Sequence, residues 1–308
     1  MKKLLIRLGL LFAPFVLFWI LLLVIGPGQG FNYNILNAYS DKLEAMHTWS
    51  GRKIVFVGGS NLSFSLNSEL IEKELGIRPF NMGVHANIGL DFMLNSIRKE
   101  IKSGDLVVVI PEYQQYFGEL AMGDLELAVL IFCVDFRYAR FLTPRQFFHL
   151  LKFIPKASTI LLKSYFSADD KKPVSIVDRR SFNMYGDAIV HWTMKPIPFQ
   201  PYPKLNGKPE NAVLDQLKDM DAYCQSVGAK LLVSYPVYQS KSFQRSKKTI
   251  EALDLQLKEI GMDVISNPKN YAFGDSLLFN TAYHSNKLGV DLRTQMLIRD
   301  LKTSIKPN

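Results

Sequence analysis

The sequence predicts an α/β domain with a central parallel sheet between two layers of helices, interrupted by a mid-chain insertion and preceded by one transmembrane helix. Short β-branched and aliphatic runs end at turns and alternate with helical patterns, which is typical of a parallel sheet buried on both faces. The first apolar run is much longer than the others and favours a membrane-spanning helix. A chain of 308 residues can bury a sizeable core.

The predicted transmembrane anchor covers residues 1–30, within which residues 8–25 are all apolar. At a rise of about 1.5 Å per residue, this run spans roughly 27 Å, close to the hydrocarbon thickness of a bilayer. Residues 26–30 lack the small-residue pattern of a cleavage site. The sequence therefore favours an uncleaved anchor over a removed signal peptide.

Charge on the two sides of the apolar run predicts its orientation. Lys2, Lys3 and Arg7 precede the run, whereas Asp41 and Lys42 are the first charges after it. The positive-inside tendency then places the N-terminus in the cytoplasm. We expect a single pass through the cytoplasmic membrane, with residues 31–308 forming one domain on the extracytoplasmic, periplasmic side.

Periodicity along the chain predicts the elements of the α/β domain in order. Each predicted strand is a short apolar run that ends at a turn, and each predicted helix has an apolar face at helical spacing. The predicted strands are 53–57, 80–83, 105–110, 230–234 and 263–265, and the predicted helices are 37–49, 66–75, 88–101, 211–227, 246–260 and 287–302.

The middle of the chain, about 119–209, does not follow this alternation and is predicted to be an insertion. It is rich in aromatic residues and helix formers up to Phe166, and a charged, loop-like stretch follows. Prolines at 196, 198, 201 and 203 then predict an extended segment with little regular structure. We interpret the insertion as a lid or a surface for a partner.

Charge and cysteine content exclude some classes of function. The net charge of +9 is spread along the chain without a basic stripe, so nucleic-acid binding is not expected. The charge suits a domain near an anionic lipid surface, or simply an ordinary solvated surface. Cys133 and Cys224 are the only cysteines, and no cysteine–histidine spacing suggests zinc. No metal or organic cofactor is implied.

Ser60 is the first candidate site residue, because it follows the predicted strand 53–57 after a turn of two glycines. Open α/β sheets bind their ligands at the carboxyl ends of the strands. Gly58 and Gly59 let the turn tighten and keep side chains away from the Ser60 hydroxyl, and nearby backbone N–H groups could stabilise an oxyanion. The alternative is an ordinary strand–turn–helix junction in which Ser60 caps a helix.

Two further segments carry candidate residues. Gly83 ends the predicted strand 80–83, where its backbone N–H could bind an oxyanion, although a flexible turn is the alternative. His284 lies on a loop before the last predicted helix. A serine nucleophile needs a histidine within hydrogen-bond reach, and among the histidines His284 has the most suitable setting. A surface-loop histidine is the alternative.

The three segments together, in this order, resemble the SGNH hydrolase superfamily. Gly58-Gly59-Ser60-Asn61 is similar to the first block of that family, Asn81-Met82-Gly83 to the second, and Tyr283-His284-Ser285-Asn286 to the last. The resemblance covers roughly residues 50–118 and 210–303. It implies a flavodoxin-like three-layer sandwich of the SGNH type.

The resemblance also implies roles for individual residues. Ser60 would be the nucleophile, and His284 the general base. Backbone N–H groups of Ser60 and Gly83, with the side chain of Asn61, would hold the oxyanion, and Gly59 would leave room beside them.

The sequence departs from the family pattern at two places. The last block of the family usually has an aspartate about three residues before the histidine, and Thr281 stands there. Asn280, one residue earlier, could accept a hydrogen bond from His284 but cannot offset its charge, and Asp275 is a poorer match. The third block has no clear counterpart. Two residues that follow the strand 105–110, Glu112 and Gln115, could line the site instead, although a polar loop is the more cautious interpretation.

The sequence as a whole predicts a membrane-anchored SGNH-like esterase or O-acyltransferase that acts on acyl esters of a cell-surface glycan. The anchored layout is similar to accessory proteins of surface O-acylation, such as the D-alanyl transfer protein of lipoteichoic acid synthesis and the alginate O-acetyltransferases. That similarity implies an acylated glycan or acyl donor as substrate, and a membrane-bound O-acyltransferase as a possible partner. The alternatives are a non-catalytic or weakly active partner of such an acyltransferase, and a glycan-binding module.

Overall fold

The computed structural model describes residues 2–28, 31–166 and 173–305. Helices and strands follow one another in this order: α1 (Lys2–Ile25), α2 (Asn37–His47), β1 (Lys53–Val57), α3 (Ser60–Ser63), α4 (Ser68–Leu75), β2 (Arg78–Asn81), α5 (Leu90–Ile97), β3 (Leu106–Val109), α6 (Leu125–Val129), α7 (Pro144–Leu150), α8 (Ile154–Ser164), α9 (Asn211–Ser226), β4 (Lys230–Val233), β5 (Tyr238–Gln239), α10 (Ser240–Glu259), β6 (Ala272–Phe273) and α11 (Lys287–Ser304).

A parallel sheet of four strands, in the order β2-β1-β3-β4, forms the centre of the domain. Ile54 of β1 lies opposite Leu106 of β3, and Leu106 lies opposite Lys230 of β4. The predicted α/β class with a central parallel sheet is confirmed. Because the strand order reverses between β1 and β3, residues that follow these two strands face the crevice where such sheets bind ligands.

The sheet separates two hydrophobic cores, as the alternation of side chains along a strand requires. Val55 and Val57 of β1 point into the larger core, which also receives the buried faces of α5 and α9. Ile54 and Phe56 point into the smaller core, which also receives buried apolar residues of α4 and α11, namely Ile71, Leu297, Ile298 and Leu301. This arrangement is consistent with a three-layer sandwich. Cys133 and Cys224 are free and buried in the larger core.

The predicted strand 263–265 forms only one parallel bridge, between Val264 and Val233 at the edge of the sheet. Just beyond it, the Tyr235 N–H donates to Ser266 Oγ at 3.3 Å, so a side chain takes the place of the next backbone partner. The edge strand therefore ends after a single bridge.

Helix α10 begins six residues before the predicted start, at Ser240. Its first turns bury Ser242, Phe243 and Ser246, so polar residues occupy positions that face the core. The two hydroxyls accept hydrogen bonds from the backbone N–H groups of Tyr202 and Leu205, at 2.8 Å and 3.0 Å respectively. Because these serines interrupt the apolar periodicity of the buried face, the predicted helix begins too late.

The same two bonds fix the proline-rich segment on α10. Residues 195–210 have neither helix nor strand, as the four prolines predict. Because the segment is held along the first half of α10, Tyr202 reaches the carboxyl edge of the sheet. The insertion thus contributes one wall of the candidate site.

Helix α1 covers the apolar run for which a membrane anchor is predicted, and its C-terminal end packs on α8. The backbone N–H of Gly28 donates to Ser164 Oγ at 2.9 Å, and the Tyr165 hydroxyl donates to the Gly26 carbonyl. Within residues 2–28, 31–166 and 173–305, no helix has the length and apolarity needed to cross a bilayer. The membrane anchor stays a prediction.

Candidate active site

The turn after β1 carries Ser60 and is built on glycines that have no room for a side chain. A Cβ atom at Gly58 would lie 2.2 Å from the carbonyl oxygen of Ile110, which directly follows the neighbouring strand β3. A Cβ atom at Gly59 would lie 2.8 Å from Glu112 Oε1 and 2.9 Å from Ala86 Cα. The two glycines allow the turn to pack directly against the chain that follows β3.

Ser60, His284 and Asn280 form one chain of hydrogen bonds. Ser60 Oγ lies 2.9 Å from His284 Nε2, and His284 Nδ1 lies 2.8 Å from Asn280 Oδ1. With the Asn280 oxygen facing the ring, Nδ1 carries the hydrogen and Nε2 is left as the acceptor. The structure brings these three predicted residues together, in the geometry that a serine nucleophile and its base require.

The His284 ring is held by stacking. The ring of Phe64 lies 4.2 Å from the imidazole, centroid to centroid, at an interplanar angle of 12°. Burial is the main cause that lowers the pKa of His284 to about 3, and the nearby His191 and His85 act in the same direction. The imidazole is therefore neutral at neutral pH and available to accept a proton.

Thr281 stands where the family pattern has an aspartate, but its side chain accepts hydrogen bonds from the backbone. Its Oγ1 accepts from the N–H groups of Tyr283 and His284, each at 3.2 Å. Asp275, the other acid considered from the sequence, accepts from Gln239 Nε2 at 2.7 Å and from Lys241 Nζ at 2.8 Å. In the described part of the chain, His284 Nδ1 thus donates to the side-chain oxygen of Asn280, an amide and not a carboxylate.

Glu112 approaches Ser60 from the side opposite His284. Its Oε1 accepts from Ser60 Oγ at 2.9 Å and from the backbone N–H of Asn61 at 3.1 Å. Burial raises the pKa of Glu112 above the usual range of a carboxyl, whereas these two hydrogen bonds and the charge of His85 oppose the rise. Glu112 lines the site, in direct contact with the candidate nucleophile.

Two of the predicted oxyanion donors, the Gly83 N–H and the Asn61 side chain, donate hydrogen bonds within the protein. The Gly83 N–H donates to Asn81 Oδ1 at 3.0 Å, and Asn61 Nδ2 donates to the Ile110 carbonyl at 3.0 Å. The carbonyl of Gly83 accepts from Ser63 Oγ at 2.6 Å and from the buried Lys42 ammonium. Gly83 and Asn61 therefore support the turn in this structure, and their roles at an oxyanion stay predictions.

A cavity of about 340 Å³ opens beside Ser60 and His284. Its wall includes residues that the sequence did not single out for the site, namely Asn87, Gln114, Leu120 and Tyr202. The sequence could have predicted that Gln114 lines the site, because it follows Glu112 at the carboxyl edge of the sheet. It could not have predicted Tyr202, since this residue comes from the insertion and reaches the site only through the path of the proline-rich segment.

No group of three histidine, cysteine, aspartate or glutamate side chains suited to a metal ion occurs among the residues whose positions the structure gives. Comparison of the sequence with models of protein families finds no match, and comparison with curated proteins finds none either. The site must therefore be interpreted from its own geometry.

Proposed function

We propose that the chain is a serine esterase or O-acyltransferase of the SGNH type, with Ser60 as nucleophile and His284 as base. The observation that carries the proposal is the 2.9 Å contact between Ser60 Oγ and His284 Nε2, with Asn280 behind the ring at 2.8 Å. A serine hydroxyl gains its reactivity from such a base. The neutral state of His284 supports the same role, because only a neutral imidazole can accept the proton.

The proposed substrate is an acyl ester, and the acyl group passes from Ser60 to water or to a sugar hydroxyl. A cavity of about 340 Å³ is near the lower end of ligand-site volumes, which favours a small acyl group. A cell-surface glycan as substrate follows only from the resemblance of the sequence to surface O-acylation proteins. Water or a hydroxyl would reach the acyl carbon from this cavity.

The test is covalent labelling of the whole chain with a fluorophosphonate probe at pH 6 and at pH 8, followed by peptide mass spectrometry. We expect one adduct, on Ser60, because the probe reacts with a serine that is activated by a neighbouring base. An adduct on another serine, or no adduct at either pH, would contradict the proposal.

The proposed location is the outer face of the cytoplasmic membrane, with α1 as a single anchor. Support comes from the apolar residues 8–25 and from the basic residues before them. We expect the whole chain to stay in the membrane fraction after a wash at pH 11, and a chain of residues 31–308 to be soluble. A C-terminal phosphatase fusion, active only outside the cytoplasm, should be active. Release of the whole chain by the wash would rule out the anchor.

A second candidate is a non-catalytic partner of a membrane-bound O-acyltransferase. The hydrogen bond of Ser60 to Glu112 favours it, because this bond competes with activation by His284. Exposed aromatic side chains of the insertion, Phe136 and Phe148, add an apolar surface on which a partner could bind. If the fluorophosphonate leaves Ser60 unlabelled in the folded protein, this candidate replaces the first.

A further inference from the structure

The Ser60 hydroxyl has two neighbours that compete for its single hydrogen. His284 Nε2 and Glu112 Oε1 both lie 2.9 Å from Ser60 Oγ. An ionised carboxylate only accepts hydrogen bonds, and Nε2 is also an acceptor when Nδ1–H faces Asn280. Since hydrogen bonds to a charged acceptor are the stronger ones, an ionised Glu112 takes the hydrogen of Ser60 away from its base.

The same carboxylate oxygen also covers a backbone donor beside Ser60. Glu112 Oε1 accepts from the Asn61 N–H at 3.1 Å, next to the oxygen that would attack the substrate. The ester carbonyl oxygen, as it becomes negative, needs hydrogen-bond donors at this place. An ionised Glu112 would therefore both cover the donor and repel the developing charge.

The surroundings of Glu112 favour its neutral form. Burial raises the pKa of this carboxyl, and the titratable groups that face it are His85, His284, Tyr202 and Tyr283. Burial keeps both tyrosines and His284 neutral by raising the pKa of Tyr202 and Tyr283 and by lowering that of His284. Among these groups, the charge of His85 is the one that favours the carboxylate.

We propose that Glu112 gates the proposed acyl transfer by its protonation: the carboxylate holds Ser60 inactive, and the neutral acid releases Ser60 to His284 and donates to the oxyanion. This inference rests on the proposed function. It assigns Glu112 the oxyanion contact that Gly83 N–H and the Asn61 side chain do not offer in this structure, since both donate elsewhere.

The reaction that the neutral acid permits is balanced within the site. Ser60 Oγ bonds to the acyl carbon, its proton passes to His284 Nε2, and the carbonyl electron pair moves onto oxygen. That oxygen accepts from the Glu112 carboxyl O–H and from the Asn61 N–H. The tetrahedral species then expels the alcohol, which takes the proton back from Nε2. An acyl ester of Ser60 remains, and water or a hydroxyl removes the acyl group by the same steps in reverse.

The gate predicts a rate that falls with rising pH. His284 stays neutral down to acidic pH, so protonation of the base does not limit the rate near neutrality. Above the pKa of Glu112, the fraction of neutral acid falls tenfold with each pH unit, and the rate should fall with it. A serine esterase governed by an ordinary histidine would show the opposite slope.

The experiment measures hydrolysis of 4-nitrophenyl acetate and fluorophosphonate labelling of Ser60 from pH 5 to pH 9. The variants are Glu112→Gln, which cannot ionise but still carries N–H donors, and Glu112→Ala, which has no donor. Glu251→Gln, on the exposed side of α10, is the matched control and should follow wild type. Wild type should slow with rising pH, whereas both Glu112 variants should lose this slope. At pH 9, Glu112→Gln should exceed wild type by about tenfold or more.

Glu112→Ala should be slower than Glu112→Gln by about tenfold or more at every pH, because it lacks the donor to the oxyanion. If Ser60 is labelled in wild type, and if the rate falls with rising pH as steeply in Glu112→Gln as in wild type, the gate is overturned. The proposed function would still stand. An equal rate for the alanine and glutamine variants would overturn the donor role. If neither wild type nor Glu112→Gln is labelled at any pH, the proposed function fails, and the gate with it.

Discussion

Replacing His284 by glutamine should slow fluorophosphonate labelling of Ser60 by about 10³-fold. Proton transfer by a positioned base contributes roughly 10²–10⁴-fold to such reactions, and a glutamine amide cannot accept the Ser60 proton. Glutamine has nearly the volume of histidine and can still contact Ser60 Oγ. The measurement is the second-order labelling rate, with the melting midpoint recorded to confirm that the variant is folded.

His47→Gln is the matched control for this substitution. His47 lies at the end of α2 with its side chain 68% exposed, in contact with Glu100 and not with the candidate site. Its labelling rate should equal that of wild type. If His284→Gln labels as fast as His47→Gln, the 2.9 Å contact with Ser60 has no catalytic meaning, and His284 is only a packed ring beside Phe64.

Replacing Gly58 by alanine should lower the free energy of unfolding by about 3 kcal/mol, the upper part of the range for overpacked sites. The new Cβ would lie 2.2 Å from the Ile110 carbonyl oxygen and 3.0 Å from the Ile110 carbonyl carbon. Both are backbone atoms at the end of β3, so no side chain can move aside, and β1 and β3 must separate where they deliver Ser60 and Glu112. The measurement is urea unfolding at pH 7.

Gly274→Ala is the control for the Gly58 substitution. Gly274 has a φ of −71°, which any residue adopts, and the nearest atom to its Cβ would be Ser276 Oγ at 4.0 Å. Its unfolding free energy should change by less than about 0.5 kcal/mol. Equal unfolding free energies of the two variants would mean that the backbone after β3 can move away from the turn without loss of stability. That result would contradict its tight packing on the turn.

The sequence predicted the sheet well because its strands carry their own signal. The limits of β1 coincide with the predicted strand 53–57, since residues 54–57 are apolar on both faces and the run ends at Gly58. The edge strand 263–265 was overestimated, because it has a single neighbour and forms one bridge with it. The length of helix α10 was underestimated, because serines on its buried face were taken from the sequence as exposed polar residues. Their hydroxyls are buried because they accept hydrogen bonds from the backbone of the proline-rich segment.

The sequence predicted which residues form the candidate site better than it predicted the contacts between them. Ser60 and His284 were found from their places after a strand and before a helix, and the structure brings them together. The hydrogen bond of Glu112 to Ser60 could not be predicted, because it depends on side-chain direction at the ends of two adjacent strands. The partners of Gly83 and Asn61 were likewise set by packing that only the folded chain provides.

The two contacts of Ser60 differ in how they are anchored. Glu112 reaches Ser60 through β3, which is paired with β1 in register from Ile54–Leu106 to Val57–Val109, deep in the sheet. His284 reaches it through a loop that is tied to distant parts of the chain: the Gln239 N–H donates to the Ala282 carbonyl at 2.8 Å, and Ser65 Oγ donates to the Tyr283 carbonyl at 3.0 Å. Local opening draws on segments with few paired backbone groups, so this loop should exchange its amide hydrogens only when the domain around it opens. On warming, the protein would then lose its base and its fold in the same transition.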